Sequence, residues 1–138
     1  MDTNIFLRVL NKKDNLTAHL ESTDLLKDIK QRKIKAVTSN IVLSEIVWTM
    51  QRFYEFPKEE IVLALNSIYN LSISMNDNFQ TARAIKLFKT MNVKFVDCLI
   101  ASIPQIHECK WTIVSYDKDF DKLGVIRKEP KEVTRGLN

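Results

Sequence analysis

The chain of 138 residues is 45% apolar and 28% charged, which excludes a disordered protein and fits one folded domain of ordinary size, residues 1–138. Its formal net charge of +4 weakly favours a polyanionic partner such as nucleic acid. Only two glycines and three prolines leave little room for tight turns, so a helix-rich fold is expected rather than an all-β one.

Helical and strand patterns alternate along the chain. The predicted elements are a helix from 15 or 17 to 31, a strand at 36–38, a helix at 40–53, a helix from 57, a strand at 71–75, helices at 78–91 and 95–110, and strands at 112–115 and 125–127. Ser39 and Asp77 are the expected N-caps of the helices that follow them, and Pro57 suits a first helical position. Pro104 should kink or end the helix that contains it.

Short strands that alternate with helices of ten or more residues indicate a parallel α/β sandwich. In such sheets the ligand crevice lies at the carboxyl ends of the strands. Asp117 follows one predicted strand directly, which is a position expected for a site residue.

The cellular compartment is predicted from the two cysteines and from the lack of a visible membrane span or signal peptide. Cys98 and Cys109 are too few for a disulfide framework, and their place in one predicted helix suggests buried, reduced thiols. No apolar run approaches the roughly 20 residues of a membrane span, and no signal peptide is visible. A cytoplasmic protein without membrane association is therefore expected.

Four acidic residues stand in apolar surroundings: Asp2, Glu45, Asp97 and Asp117. Each has an ordinary explanation when taken alone. Glu45 suits the solvated edge of a helix, Asp97 suits the dipole of a helix start, and Asp117 suits a polar turn. If folding brings the four together, however, they repel one another and their pKa values rise. A bound Mg²⁺ or Mn²⁺ offsets that cost, because hard cations prefer oxygen ligands.

Four segments of the sequence resemble, in the right order, the recurring elements of the PIN-domain ribonucleases, and especially the VapC-type toxins of toxin–antitoxin pairs. They are Asp-Thr-Asn and its following residues at 2–8, the segment ending in Ser-Glu at 39–45, the Asp-led helix at 97–102, and Ser-Tyr-Asp-Lys-Asp-Phe at 115–120. The resemblance implies a three-layer α/β/α sandwich with a short central parallel sheet.

The same resemblance implies roles for the acids. Asp2 and Asp97 would be the main metal ligands, and Asp117 would complete the acidic cluster. Glu45 would bind metal or position the attacking water.

Three further residues are implied to support the carboxylates. Asn4 and Ser115 would hydrogen-bond to them from a second layer. Asp119 would serve a second metal ion or cap the following turn.

The function implied is hydrolysis of RNA phosphodiester bonds by a Mg²⁺- or Mn²⁺-dependent endoribonuclease. The implied partners are the RNA substrate, a cognate antitoxin protein and a second copy of the chain in a homodimer. The alternative is a catalytically inert PIN-like module that binds RNA or serves as a scaffold. A phosphoryl-transfer receiver domain fits less well, because an acidic pair after the first strand and a site lysine after the last one are not visible.

One feature departs from the pattern of the family. The opening Asp of these proteins normally ends a central strand, which requires several apolar residues before it. Only Met1 precedes Asp2 here, so the first strand is expected to be truncated: either the start of the chain is truncated or misassigned, or the sheet lacks most of its middle strand.

Overall fold

The structure is a computed structural model, and it describes residues 1–136. Short strands alternate with helices, as the sequence predicted, and the fold is α/β. The elements are α1 (Thr3–Leu10), α2 (Leu16–Lys30), β1 (Ala36–Thr38), α3 (Asn40–Arg52), α4 (Lys58–Tyr69), β2 (Ile73–Met75), α5 (Thr81–Thr90), α6 (Phe95–Ser102), α7 (Pro104–His107), β3 (Ile113–Val114), a 3₁₀ helix (Lys118–Leu123), β4 (Arg127–Lys128) and α8 (Pro130–Arg135). No helix within this part of the chain is both long and apolar enough to cross a bilayer.

The strands form two parallel pairs, β1 with β2 and β3 with β4. Met1 and Asp2 lie between the pairs. The Met1 ammonium donates to the Val37 carbonyl at 2.6 Å, and the Asp2 amide donates to the Val114 carbonyl at 3.1 Å. Two residues therefore hold the central position of the layer, where the sequence led us to expect a shortened strand.

Two apolar cores lie on either side of this layer, which gives the expected α/β/α sandwich. Helix α1 serves both, because Phe6 enters the larger core and the neighbouring Ile5 enters the smaller one. Helix α2 closes the smaller core with Leu25 and Ile29. Residues from α3, α4, α6 and α7 fill the larger core, among them Val42, Ile46, Met50, Ile61, Ile100 and Ile106.

The cap of α3, Ser39, was predicted from sequence, whereas for α2 the sequence left Asn15 and Thr17 as alternatives, of which Asn15 is the cap. The Asn15 side chain accepts from the Ala18 amide at 3.0 Å, and Ser39 Oγ accepts from the Val42 amide at 3.4 Å. Each bond satisfies a backbone donor that a helix start leaves without an internal partner.

The cap assigned to Asp77 was wrong. Helix α5 begins at Thr81, and Gln80 holds the N-cap position. Asp77 instead accepts from both the backbone and the side-chain nitrogen of Asn40, at 2.7 and 2.6 Å. It therefore ties the segment after β2 to the start of α3, which is a long-range contact that local sequence does not reveal.

The helix predicted for 95–110 is two helices, and the break falls at Ile103, next to Pro104, as expected for a proline. Cys98 lies in α6 and is buried. Cys109 lies beyond α7, is exposed, and has a φ of +57°, so the prediction of a second buried thiol was wrong.

Three short helical segments were not predicted: α1, the 3₁₀ helix and α8. The longest of them has eight residues, so its apolar period repeats barely twice. Tertiary packing rather than local propensity decides such short helices.

An added strand should stabilise this fold. We expect that four apolar residues fused ahead of Met1 will pair with β1 and β3 and will raise the free energy of unfolding by roughly 2 kcal/mol through apolar burial. The melting temperature should then rise by about 5 °C. Thermal denaturation measures the change, and a Gly-Ser extension of equal length is the control. Equal melting temperatures for the two extensions would contradict the expectation.

Candidate metal centre

The predicted acidic residues are placed by the starts of helices and the ends of strands. Asp2 caps α1, Asp97 lies in the first turn of α6, and Asp117 caps the 3₁₀ helix just beyond β3. Glu45 lies within α3. Because a helix start carries partial positive charge, three of these four carboxylates are partly compensated by backbone.

Asp97, Asp117 and Asp119 form the tightest acidic group. One carboxylate oxygen of each lies within 4.8 Å of the others. Asp97 Oδ2 is buried and has no hydrogen-bond partner among residues 1–136. Asp117 Oδ1 accepts from the Asp119 amide at 2.9 Å, and Asp119 Oδ1 accepts from Lys122 Nζ at 2.8 Å. The sequence had assigned Asp119 a supporting place, whereas the geometry puts its carboxylate inside the group.

Asp2 is held by a dense set of hydrogen bonds. Its Oδ1 accepts from the Thr3 amide at 2.8 Å. Its Oδ2 accepts from Asn4 Nδ2 at 2.9 Å and from Ser115 Oγ at 2.6 Å. Ser115 Oγ also accepts from Asn4 Nδ2 and from the Asp117 amide, each at 2.9 Å. Asn4 and Ser115 therefore contact a carboxylate, and Ser115 joins the side chain of Asp2 to the backbone of Asp117.

Glu45 is tied to the same place by a residue that the sequence interpretation missed. Thr3 Oγ1 donates to Glu45 Oε1 at 3.0 Å. Since the Thr3 amide also bonds to Asp2, this one residue orients two carboxylates. The available signal was its position directly after the opening Asp, which becomes informative only once α1 is known to begin there.

The pKa shifts of the acidic residues show that their charges affect one another. Desolvation, followed by the charges of Asp2 and Asp117, raises the pKa of Asp97 to about 7. Desolvation is also the largest cause of the raised pKa values of Asp2 and Glu45. The Lys94 ammonium opposes the shift at Asp97 and Glu45 without cancelling it. Without a cation, burial therefore disfavours the charged forms of Asp2, Glu45 and Asp97, and a bound cation would oppose that effect.

The donor set fits a hard divalent cation. It offers carboxylate oxygens alone, one of them buried and without a hydrogen-bond partner in residues 1–136, and such oxygens are the ligand type that Mg²⁺ and Mn²⁺ take in proteins.

A family model for the PIN domain matches residues 1–126. The chain belongs to the PIN domain family. PIN domains are typically metal-dependent nucleases, and an acidic cluster suited to such chemistry is present in this one. A search of curated proteins found no match.

The bond from Thr3 to Glu45 can be tested in this PIN domain by removing only the donor. Thr3→Val keeps the shape of the side chain and should raise the pKa of Glu45 further, because the hydrogen bond from Thr3 lowers that pKa. Thr3→Ser keeps the donor and should leave the pKa of Glu45 unchanged. NMR titration of the metal-free protein measures both, and equal pKa values for the Val and Ser variants would count against the role.

The raised pKa of Asp97 predicts the pH dependence of metal-free stability. The pKa of Asp97 is about 7 in the folded protein, whereas the ordinary pKa of an aspartate is 3.8. Because the folded state binds more protons between about pH 4 and 7, its stability should fall as the pH rises through that interval. Urea denaturation in EDTA measures this slope. The slope should be smaller in Asp97→Asn, and identical slopes would contradict the assignment.

Proposed function

We propose that this PIN domain is a metal-dependent endoribonuclease that hydrolyses RNA phosphodiester bonds. The observation that carries the proposal is the group of Asp97, Asp117 and Asp119, in which Asp97 Oδ2 is buried without a hydrogen-bond partner among residues 1–136. Burying such an oxygen is costly unless an ion or a water contacts it. Specificity for RNA rests on the resemblance of four sequence segments to the PIN-domain ribonucleases.

In this proposal the carboxylates of Asp97, Asp117 and Asp119 hold a Mg²⁺ or Mn²⁺ ion, and Asp2 is a further ligand. A bound divalent cation lowers the pKa of a water molecule and neutralises charge on a phosphoryl oxygen. Both oxygens of Asp2 already accept hydrogen bonds, so its carboxylate is held in one orientation. Asn4 and Ser115 fix that orientation.

Glu45 positions the attacking water in this mechanism. Thr3 occupies Oε1, so Oε2 is the oxygen that is available to accept a proton from water. The pKa of Glu45 is raised towards neutral pH, and a general base with such a pKa is suited to proton transfer.

Lys94 supplies positive charge for the substrate. It is exposed, directly precedes α6, and interacts electrostatically with Asp97 and Glu45. The Lys94 ammonium, unlike that of Lys122, is not paired with a carboxylate among residues 1–136, so it suits contact with an RNA phosphate.

The finer role that we propose is that of a cytoplasmic VapC-like toxin, which a cognate antitoxin neutralises and which acts as a homodimer. Large apolar side chains on the surface support the existence of protein partners. They include Trp48, Phe53, Leu63, Tyr69 and Phe88, each more than half exposed.

The nuclease is tested on a single-stranded RNA with Mg²⁺ or Mn²⁺. Asp97→Asn should lower the cleavage rate at least about 100-fold, because the group loses its buried ligand. Asp24→Asn is the matched control, since Asp24 is exposed on α2 and lies outside the acidic group. The proposal fails if EDTA leaves cleavage unchanged or if Asp97→Asn cleaves as fast as the parent.

Two further measurements separate the alternatives. Calorimetric titration with Mn²⁺ should show binding that Asp97→Asn weakens, whereas an inert RNA-binding or scaffold module would show no metal binding at this centre. Induced expression in a bacterial host should arrest growth for the parent chain and not for Asp97→Asn. Arrest by both chains would exclude the toxin role.

A further inference from the structure

A cavity of about 340 Å³ lies beyond the carboxyl ends of α1 and α3. It is separate from the acidic group, none of whose residues lines it. Its lining combines two aromatic rings, two cations, one apolar side chain and one amide: Tyr54, Phe56, Lys12, Lys13, Leu10 and Asn11. Sites for small ligands span roughly 300–1,000 Å³, so the volume suits a ligand that is flat at one end and anionic at the other.

The two rings are brought together by the way in which α3 ends. Glu55, between them, has a φ of +52°, and the Phe56 amide donates to the Met50 carbonyl at 3.0 Å. This is the left-handed reversal that usually places glycine after a helix, and it is strained for glutamate. The reversal leaves the rings of Tyr54 and Phe56 with centroids 5.8 Å apart and planes inclined by 54°. Both side chains are half-buried and pack against the larger core, so their orientation is fixed.

The rim of the cavity carries positive charge. Lys12 and Lys13 are exposed, and neither takes part in the ion pairs found within residues 1–136. Asn11 fixes the turn that carries them: its Oδ1 accepts from the Lys13 amide at 3.2 Å, and its Nδ2 donates to Asp14 Oδ2 at 3.3 Å. Asp14 also lies 4.0 Å from Arg8 Nη1, which compensates its charge. The two lysines are therefore available to an anion from outside.

The cavity and the acidic centre lie along one seam between α1 and α3. At one end of the seam, Thr3 donates to Glu45 at 3.0 Å. Thr3, Leu7 and Leu10 are spaced by four and three residues, so they share one face of α1. Leu10 lines the cavity at the other end. The rise from Thr3 to Leu10 is about 10 Å, which a stacked nucleic-acid strand covers in about three nucleotides at about 3.4 Å each.

We propose that this cavity binds one nucleotide of the RNA, with its base against Tyr54 and its phosphate beside Lys12 and Lys13. The bound nucleotide lies about three nucleotides from the scissile phosphate. The inference rests on the proposed function, because it takes RNA to be the polymer that is bound. Every base has a π-face, so stacking on an aromatic ring tolerates any sequence. The lysine pair complements a phosphate, which an apolar peptide lacks.

RNA binding is measured without cleavage, by fluorescence anisotropy of labelled hexa-adenylate with the full chain carrying Asp97→Asn, in EDTA. In this background Tyr54→Leu should weaken binding at least about five-fold, because the stacked base loses its platform. Tyr54→Phe keeps the ring and should bind as its background does. Tyr69→Leu is the matched control, since Tyr69 is exposed at the end of α4 and lies outside the cavity. Equal affinities for the Leu and Phe variants of Tyr54, or equal weakening by Tyr69→Leu, overturn the proposal.

The lysine pair tests the same cavity through exposed residues whose replacement does not disturb the core. Lys12→Gln combined with Lys13→Gln should reduce the slope of log affinity against log salt concentration by about 1.4, because each phosphate contact of a single strand contributes about 0.7. Lys86→Gln combined with Lys89→Gln removes the same charge from exposed positions of α5 and should leave the slope unchanged. Equal slopes for the two double variants contradict the proposal.

Two further probes test the chemistry of the occupant. An abasic ribose-phosphate hexamer keeps the charge of hexa-adenylate and lacks its bases, so Tyr54→Leu should not weaken its binding. Equal weakening for both hexamers would mean that the ring does not contact a base, and would overturn the proposal. The peptide acetyl-Leu-Glu-Phe-Glu-Leu-amide represents a protein occupant and should not displace hexa-adenylate. Displacement by this peptide would overturn the proposal in favour of a peptide site.

This inference and the nuclease can fail separately. If the parent chain does not cleave RNA but hexa-adenylate binding depends on Tyr54, the nuclease proposal fails and the nucleotide site stands. If the parent chain cleaves RNA and Tyr54→Leu binds hexa-adenylate as its background does, only the nucleotide site fails.

Discussion

Two backbone hydrogen bonds, from Met1 to Val37 and from Asp2 to Val114, join the two halves of the sheet. Strand β1 pairs with β2 and β3 pairs with β4, and no ladder joins the two pairs within residues 1–136. Asp2 therefore has two structural roles. Its backbone links the halves, and its carboxylate, held by Ser115 from the second half, contributes to the raised pKa of Asp97. The position of the centre and the continuity of the fold depend on the same two residues.

Three of the four predicted acids are compensated individually by hydrogen bonds. Asp2 and Asp117 accept hydrogen bonds from backbone amides at helix starts, and Thr3 holds Glu45. Asp97 lacks a partner for Oδ2 within residues 1–136 and has the pKa raised to about 7. The uncompensated charge is therefore concentrated at one residue, and a cation that contacts Asp97 would remove the largest remaining electrostatic cost.

Much of this arrangement could be predicted from sequence, because local rules decide it. The caps of α2 and α3 and the alternation of strands with helices follow from residue type and period. What failed depended on distant contacts. Asp77 does not cap α5, the helix that follows it, because both of its carboxylate oxygens accept hydrogen bonds from Asn40 at the start of α3. Likewise, the hydrogen bond from Thr3 to Glu45 joins residues that are 42 positions apart, so a local sequence pattern does not predict it.

The location of the site was easier to predict than the set of residues that form it, and Asp119 shows why. A turn rich in Asp is common after a strand, so sequence alone left a metal ligand and a capping residue equally open. The 3₁₀ helix decides the geometry: Asp117 caps it and accepts from the Asp119 amide, which brings both carboxylates to the same side as Asp97. Since a 3₁₀ turn of this length has no apolar period of its own, its formation depends on burial of Phe120 and Leu123. Core packing therefore determines which acidic residues lie together. Without a cation these acidic residues lower the stability of the fold, so cation binding and core packing favour the same conformation.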